Sequence, residues 1–103
     1  SLEKLDPSNE CLVSVPFTAK AGVDVEHMKA DIIETVQQAT ESLANPLYKP
    51  VVKLNGFTPY GIDGTIYAFA KNDLILSTMA DAVAQAIAHA DYLEHRAVSS
   101  SAE

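Results

Sequence analysis

The chain contains one cysteine, Cys11, so it can form neither an intramolecular disulfide nor a thiolate metal cluster. Cys11 falls inside an alternating apolar run and reads as a small buried apolar residue. Positive charge is scarce: 7 Lys plus Arg stand against 14 Asp plus Glu, a net charge of −7. That balance, with no basic stripe interleaved with aromatics, excludes a phosphate-binding surface for nucleic acid and disfavours docking on anionic lipid. No apolar run approaches the roughly 18 residues needed to cross a bilayer, and no signal peptide is visible. The chain as given is therefore expected to be soluble, and its start at Ser1-Leu2-Glu3 is compatible with a domain cut from a membrane protein. No internal repeat occurs.

Catalytic signatures are also missing. Ser14, Ser42 and Ser77 have no Gly-x-Ser-x-Gly context. Gly56, Gly61 and Gly64 are not followed by the strand-to-helix turn of a phosphate loop. The carboxylate pairs fall on polar helix faces, where they act as solubilising charges. A non-enzyme is expected, with no catalytic residue and no cofactor. His27 with Asp31, and His89, Asp91 and His95, are the only metal candidates. His89 and His95 are six residues apart, about 600° around a helix, so they diverge, and no metal site is expected.

What is present is patterning. With 103 residues and 48% apolar content the chain makes one ordinary globular domain. Residues 1–9 read as a lead-in, 10–97 as a single domain and 98–103, with three consecutive serines, as a flexible tail. From Cys11 to Phe17 the residues alternate, with Cys11, Val13, Val15 and Phe17 on one face, which predicts a strand near 10–17. Pro16 places that strand at an edge or near its end. Asp24 reads as an N-cap. Val25, Met28, Ile32, Val36, Ala39 and Leu43 then recur every three or four residues, predicting a one-faced helix over about 24–43. Ala44-Asn45-Pro46 stops it.

A strand is expected near 50–55, and a loop from Asn55 to about Gly61 that is too long for a two-residue hairpin turn. A second hairpin arm is expected near 64–70, with Ile66, Ala68 and Ala70 on one face and Thr65, Tyr67 and Phe69 on the other. Because both faces are apolar, this strand is expected to be central and covered, or to face a neighbouring subunit. Gly64 marks a bulge or a close backbone approach. Ile75, Leu76, Met79, Val83, Ala86, Ile87 and Ala90 predict a second helix over about 73–96, capped by Asp73 or Ser77. The β-α-β-β-α order, one apolar face per helix and right-handed crossovers lead to an α+β fold. It is a split ferredoxin-like arrangement with two helices on one face of a small sheet and its final strand missing or atypical. Four of the seven aromatics lie in the hairpin. Phe57, Tyr60, Tyr67 and Phe69 are the candidate subunit interface, because apolar area that two helices leave uncovered commonly marks such contacts.

The segment from Asn9 to about His89 resembles the C-terminal α/β domain of small-conductance mechanosensitive channels. The matching features are Glu10-Cys11-Leu12-Val13-Ser14-Val15 at a strand opening and Asp24-Val25 at a helix start. Leu43-Ala44-Asn45-Pro46 matches the helix exit, Pro50-Val51-Val52 a strand start, and Gly56-Phe57 with Tyr60-Gly61-Ile62-Asp63 precede the aromatic strand. The resemblance implies a non-catalytic cytoplasmic domain of an inner-membrane channel, reaching the membrane only through upstream transmembrane helices outside this sequence. In that family the domain packs against its copies around a symmetry axis and forms a vestibule beneath the pore. Self-association as a homo-oligomer is therefore expected through the hairpin face rather than the polar faces of the helices. Where the family continues into a further strand, Ala90-Asp91-Tyr92-Leu93-Glu94-His95 is expected to stay helical here. The alternatives are the C-terminal domain of a cation-efflux transporter, with His27, Asp31, His89 and His95 as its ligand candidates, and a free-standing ferredoxin-like ligand-binding or regulatory module.

Overall fold

The computed structural model describes residues 11–93, and the expectations for the lead-in, for His95 and for the tail lie outside them. Strand β1 (Leu12–Ala19) is followed by helix α1 (Val25–Ala39), strands β2 (Val51–Thr58) and β3 (Gly61–Phe69), a single 3-10 turn (Asp73–Ile75) and helix α2 (Leu76–Ile87). The three strands form one antiparallel sheet in the order β1–β3–β2, so the hairpin's second arm is central, as its two apolar faces require.

Register sets which side chains meet the helices. Val13 lies opposite Ala68, Val15 opposite Ile66 and Phe17 opposite Gly64, while Val52 lies opposite Ile66 from the other side. These residues join Met28, Ile32 and Val36 of α1 and Met79, Val83 and Ile87 of α2 in one continuous core. The two helices touch each other as well as the sheet, so they cover the same face. Each fully buried aliphatic side chain contributes about 1.5–3 kcal/mol relative to exposure, and these six helix positions are the ones spaced every three or four residues.

Several element limits differ from the sequence expectation. Helix α1 ends about a turn early, leaving Ala39 exposed. Buried Thr40 donates its hydroxyl to the Val36 carbonyl at 2.7 Å, and the chain is then drawn toward the sheet. Asn45 N–H donates to the Phe69 carbonyl, and Ala44 bridges Ala70. Helix α2 likewise stops at Ile87 instead of near residue 96. A string of i→i−3 turns carries the chain to Leu93, which bridges Ala19, while Lys20 N–H donates to the Tyr92 carbonyl at 2.8 Å. These tertiary hydrogen bonds replace the last helical turns. Neither Asp73 nor Ser77 caps α2. Asn72 accepts from Leu74 N–H to cap the 3-10 turn, and α2 starts without a side-chain cap. Asp24 does cap α1, accepting from His27 N–H at 3.2 Å.

The hairpin is tighter than expected. Strand β2 runs through a bulge between Leu54 and Gly56 and on to Thr58, and only Pro59 and Tyr60 separate it from Gly61. The bulge at Asn55 absorbs the extra residue that made the connection look long. Gly64 itself lies in regular pairing, and its role is close approach: a Cβ there would come 2.5 Å from the Phe17 ring. Pro16 sits as its chemistry demands. Cys11 turns its carbonyl to β3 and Lys20 turns its N–H away from it. Backbone groups of alternate residues point to opposite edges, so Pro16 faces the outer edge of β1, where no ladder bond is lost.

Candidate functional site

The same alternation that buries Ile66 and Ala68 turns Tyr67 and Phe69 to the sheet face away from the helices. Pairing places Leu12 opposite Phe69, Ser14 and Val51 opposite Tyr67, and Lys53 opposite Thr65 on that face. Its chemistry is graded along the strands. At the end near Phe69 it is apolar and aromatic: the Tyr48 ring lies 5.1 Å from that of Phe69 at 38°, in the range of favourable tilted pairs. Val51 (50% exposed) extends this end toward solvent. At the end near the turn the face is polar. Thr18 donates its hydroxyl to Asp63 at 2.9 Å, and Asn55 donates to the Thr65 hydroxyl at 2.8 Å.

The four expected interface residues therefore do not form one patch. Tyr67 and Phe69 are half-buried on the open face. Phe57 (76% exposed) lies opposite the core residue Ile62, on the helix-facing side but largely uncovered, and Tyr60 (56% exposed) sits in the turn. Nine residues of strand, about 30 Å, separate Tyr60 from Phe69. Sequence reasoning missed Val51 and gave Tyr48 no place at the site. Their signal was weak, because Tyr48 sits in an irregular segment without periodicity, and the pairing of β2 with β3 was needed to assign Val51 a face.

Two concave regions flank the helices. One, of about 240 Å³, lies between the end of α1 and the start of β2, lined by Gln37, Thr40, Asn45, Tyr48, Lys49 and Phe69 among others. The other is an open cleft of about 520 Å³ between the helices, which brings together His27, Asp31, Gln85, His89, Asp91 and Tyr92. The tertiary fold thus unites two pairs that the sequence kept apart, His27 with Asp31 and His89 with Asp91. Among the described residues, however, no three histidine, cysteine or carboxylate side chains are grouped so that they could hold a metal ion. Tyr92 is instead tied to Asp31. Burial first, then the hydrogen bond to Asp31 and its charge, push the phenol from 10.0 to about 12. No helix among the described residues is long and apolar enough to cross a membrane. No family model matches this chain, and no curated protein matches it.

Proposed function

We propose that this chain is a non-catalytic assembly domain, the cytoplasmic α/β part of a mechanosensitive channel of the small-conductance type, lining the solute vestibule beneath the pore. The observation that carries this reading is the uncovered sheet face opposite the helix layer, with Tyr48, Tyr67, Phe69 and Val51 at one end. A domain whose work is to pack against its copies needs such a face, and a buried reaction centre is not required. The strand order β1–β3–β2 with both helices on one side supports a split ferredoxin-like topology. In that topology the fourth strand adds beside β1, and the chain reaches that edge at Leu93. Sensing and gating would belong to membrane helices upstream, and the domain alone conducts nothing.

The test is made on the full-length polypeptide that contains this sequence. Produced in cells deprived of their own mechanosensitive channels, it should restore survival of a sudden drop in osmolarity and give tension-activated currents in excised patches. Deletion of residues 10–97 should abolish assembly of the channel. A full-length product without membrane spans, or one that gives neither rescue nor currents, refutes the channel reading and leaves the free-standing module in its place.

A further inference from the structure

The connection between α1 and β2 leaves a pocket that reaches down to the core. Thr40 closes the helix a turn early, Asn45 N–H ties the chain to the Phe69 carbonyl, and Tyr48 packs on Phe69 before buried Pro50 leads into β2. The resulting cavity of about 240 Å³ has two walls. Gln37, Thr40 and Glu41, on one side of the last turn of α1, supply the first, and the connection from 45 to 50 supplies the second. Its floor belongs to the core, with Met79 0% and Ala68 1% exposed. Glu41 on the first wall and Lys49 on the second are both exposed, and no ion pair joins them. We propose that this pocket binds a free α-amino acid with an aliphatic side chain, its carboxylate held by Lys49 and Asn45 and its ammonium by Glu41 and the carbonyl end of α1.

Each part of such a ligand meets matching chemistry. The Asn45 side-chain oxygen already accepts from Leu47 N–H at 2.9 Å, so what this amide offers a ligand is its NH2 group, a donor suited to a carboxylate beside the Lys49 ammonium. At the other wall the last carbonyls of α1 carry the negative end of the helix dipole, and the last turn has no basic residue to occupy them. Together with the Glu41 carboxylate they suit an ammonium. Between the two ends, Met79 and Ala68 offer an apolar floor for the side chain.

Size and charge narrow the choice. Pockets for drug-sized ligands run to about 300–1,000 Å³, so a cavity of about 240 Å³ takes something smaller. The chain's net charge of −7 opposes the entry of an anion such as a fatty acid or a dicarboxylate, but not that of a neutral zwitterion. A peptide terminus carries only one of the two charges that the walls provide for. The inference goes beyond the assembly role and does not rest on it: both walls and the floor come from one copy, and no membrane span is needed to test it.

The test is titration of the isotope-labelled 103-residue chain with L-leucine, read by amide NMR shifts. Binding should saturate with a Kd of about 0.1–1 mM, the affinity that a ligand of so few atoms reaches in an open site. The largest shifts should fall at Thr40, Asn45, Tyr48, Lys49 and Ala68. Lys49→Met should weaken leucine about three- to fivefold, yet leave the binding of leucinamide, which lacks the carboxylate, unchanged. Glu41→Gln should weaken leucine to the same extent and leave 4-methylpentanoate, which lacks the ammonium, unchanged. Both residues are exposed, so both variants should keep the fold, which circular dichroism confirms. The inference is overturned if the shifts do not saturate by about 20 mM leucine, if they centre on other residues, or if either variant binds leucine like the wild type. Binding of 4-methylpentanoate as tight as that of leucine would overturn it as well.

Discussion

Gly61 opens β3 at the point where the tight hairpin passes the end of β1. Its φ is +148°, and a Cβ there would lie 2.0 Å from the backbone carbonyl oxygen of Ala19. A backbone atom in a paired strand cannot swing aside as a side-chain end can. Gly61→Ala must therefore bear the conformational cost of its φ, about 1–3 kcal/mol, and also separate Ala19 from Ile62, its pairing partner. A total destabilisation of about 3–5 kcal/mol follows, a large part of the 5–15 kcal/mol typical of a domain. Two other glycines separate the contributions. Gly22 has φ +87°, and a Cβ added there would meet nothing within 4 Å, so Gly22→Ala should cost only the left-handed backbone term, about 1–2 kcal/mol. Gly56 has neither positive φ nor a close neighbour. Gly56→Ala should be neutral or stabilising by up to about 1 kcal/mol through the unfolded chain. Urea unfolding followed by circular dichroism gives the three values from midpoint and slope. If Gly61→Ala is no worse than Gly22→Ala, the close approach of β3 to the end of β1 is not a constraint and the reasoning fails.

Removing the α1 cap by Asp24→Ala should lower stability by about 1 kcal/mol in the same urea assay, whereas Asp24→Asn should retain most of it. Because the Tyr92 phenol is raised in the folded state to about 12, its contribution is complete below about pH 10 and disappears as pH rises toward 12. Tyr92→Phe should remove that part of the alkaline decline, and an unchanged alkaline slope in the variant would contradict the burial of the phenol beside Asp31. Calorimetric titration with zinc should give no submicromolar stoichiometric binding. Tight binding lost in His89→Ala or His27→Ala would instead favour the cation-transporter reading.

Much of the architecture is written locally. Two-residue alternation from Cys11 to Phe17 and the three-to-four-residue spacing of Met28, Ile32, Val36, Met79, Val83 and Ile87 depend only on how a strand or helix presents successive side chains. Those periodicities determined the element types, their order and the central position of the hairpin's second arm. The ends of the elements were decided elsewhere. Thr40 leaves the helix because Ala44 and Asn45 bond to the end of β3, and Leu93 leaves α2's path because it bridges Ala19; no local propensity encodes partners so distant in sequence. The hairpin turn was hidden for a similar reason, since a bulge at Asn55 appears only once β2 is laid against β3. The site shows the same division. Sequence alone determined that Tyr67 and Phe69 oppose Ile66 and Ala68. Strand pairing decided that Val51 joins them and that Phe57 falls on the other side, and helix packing that His27 and His89 share a cleft.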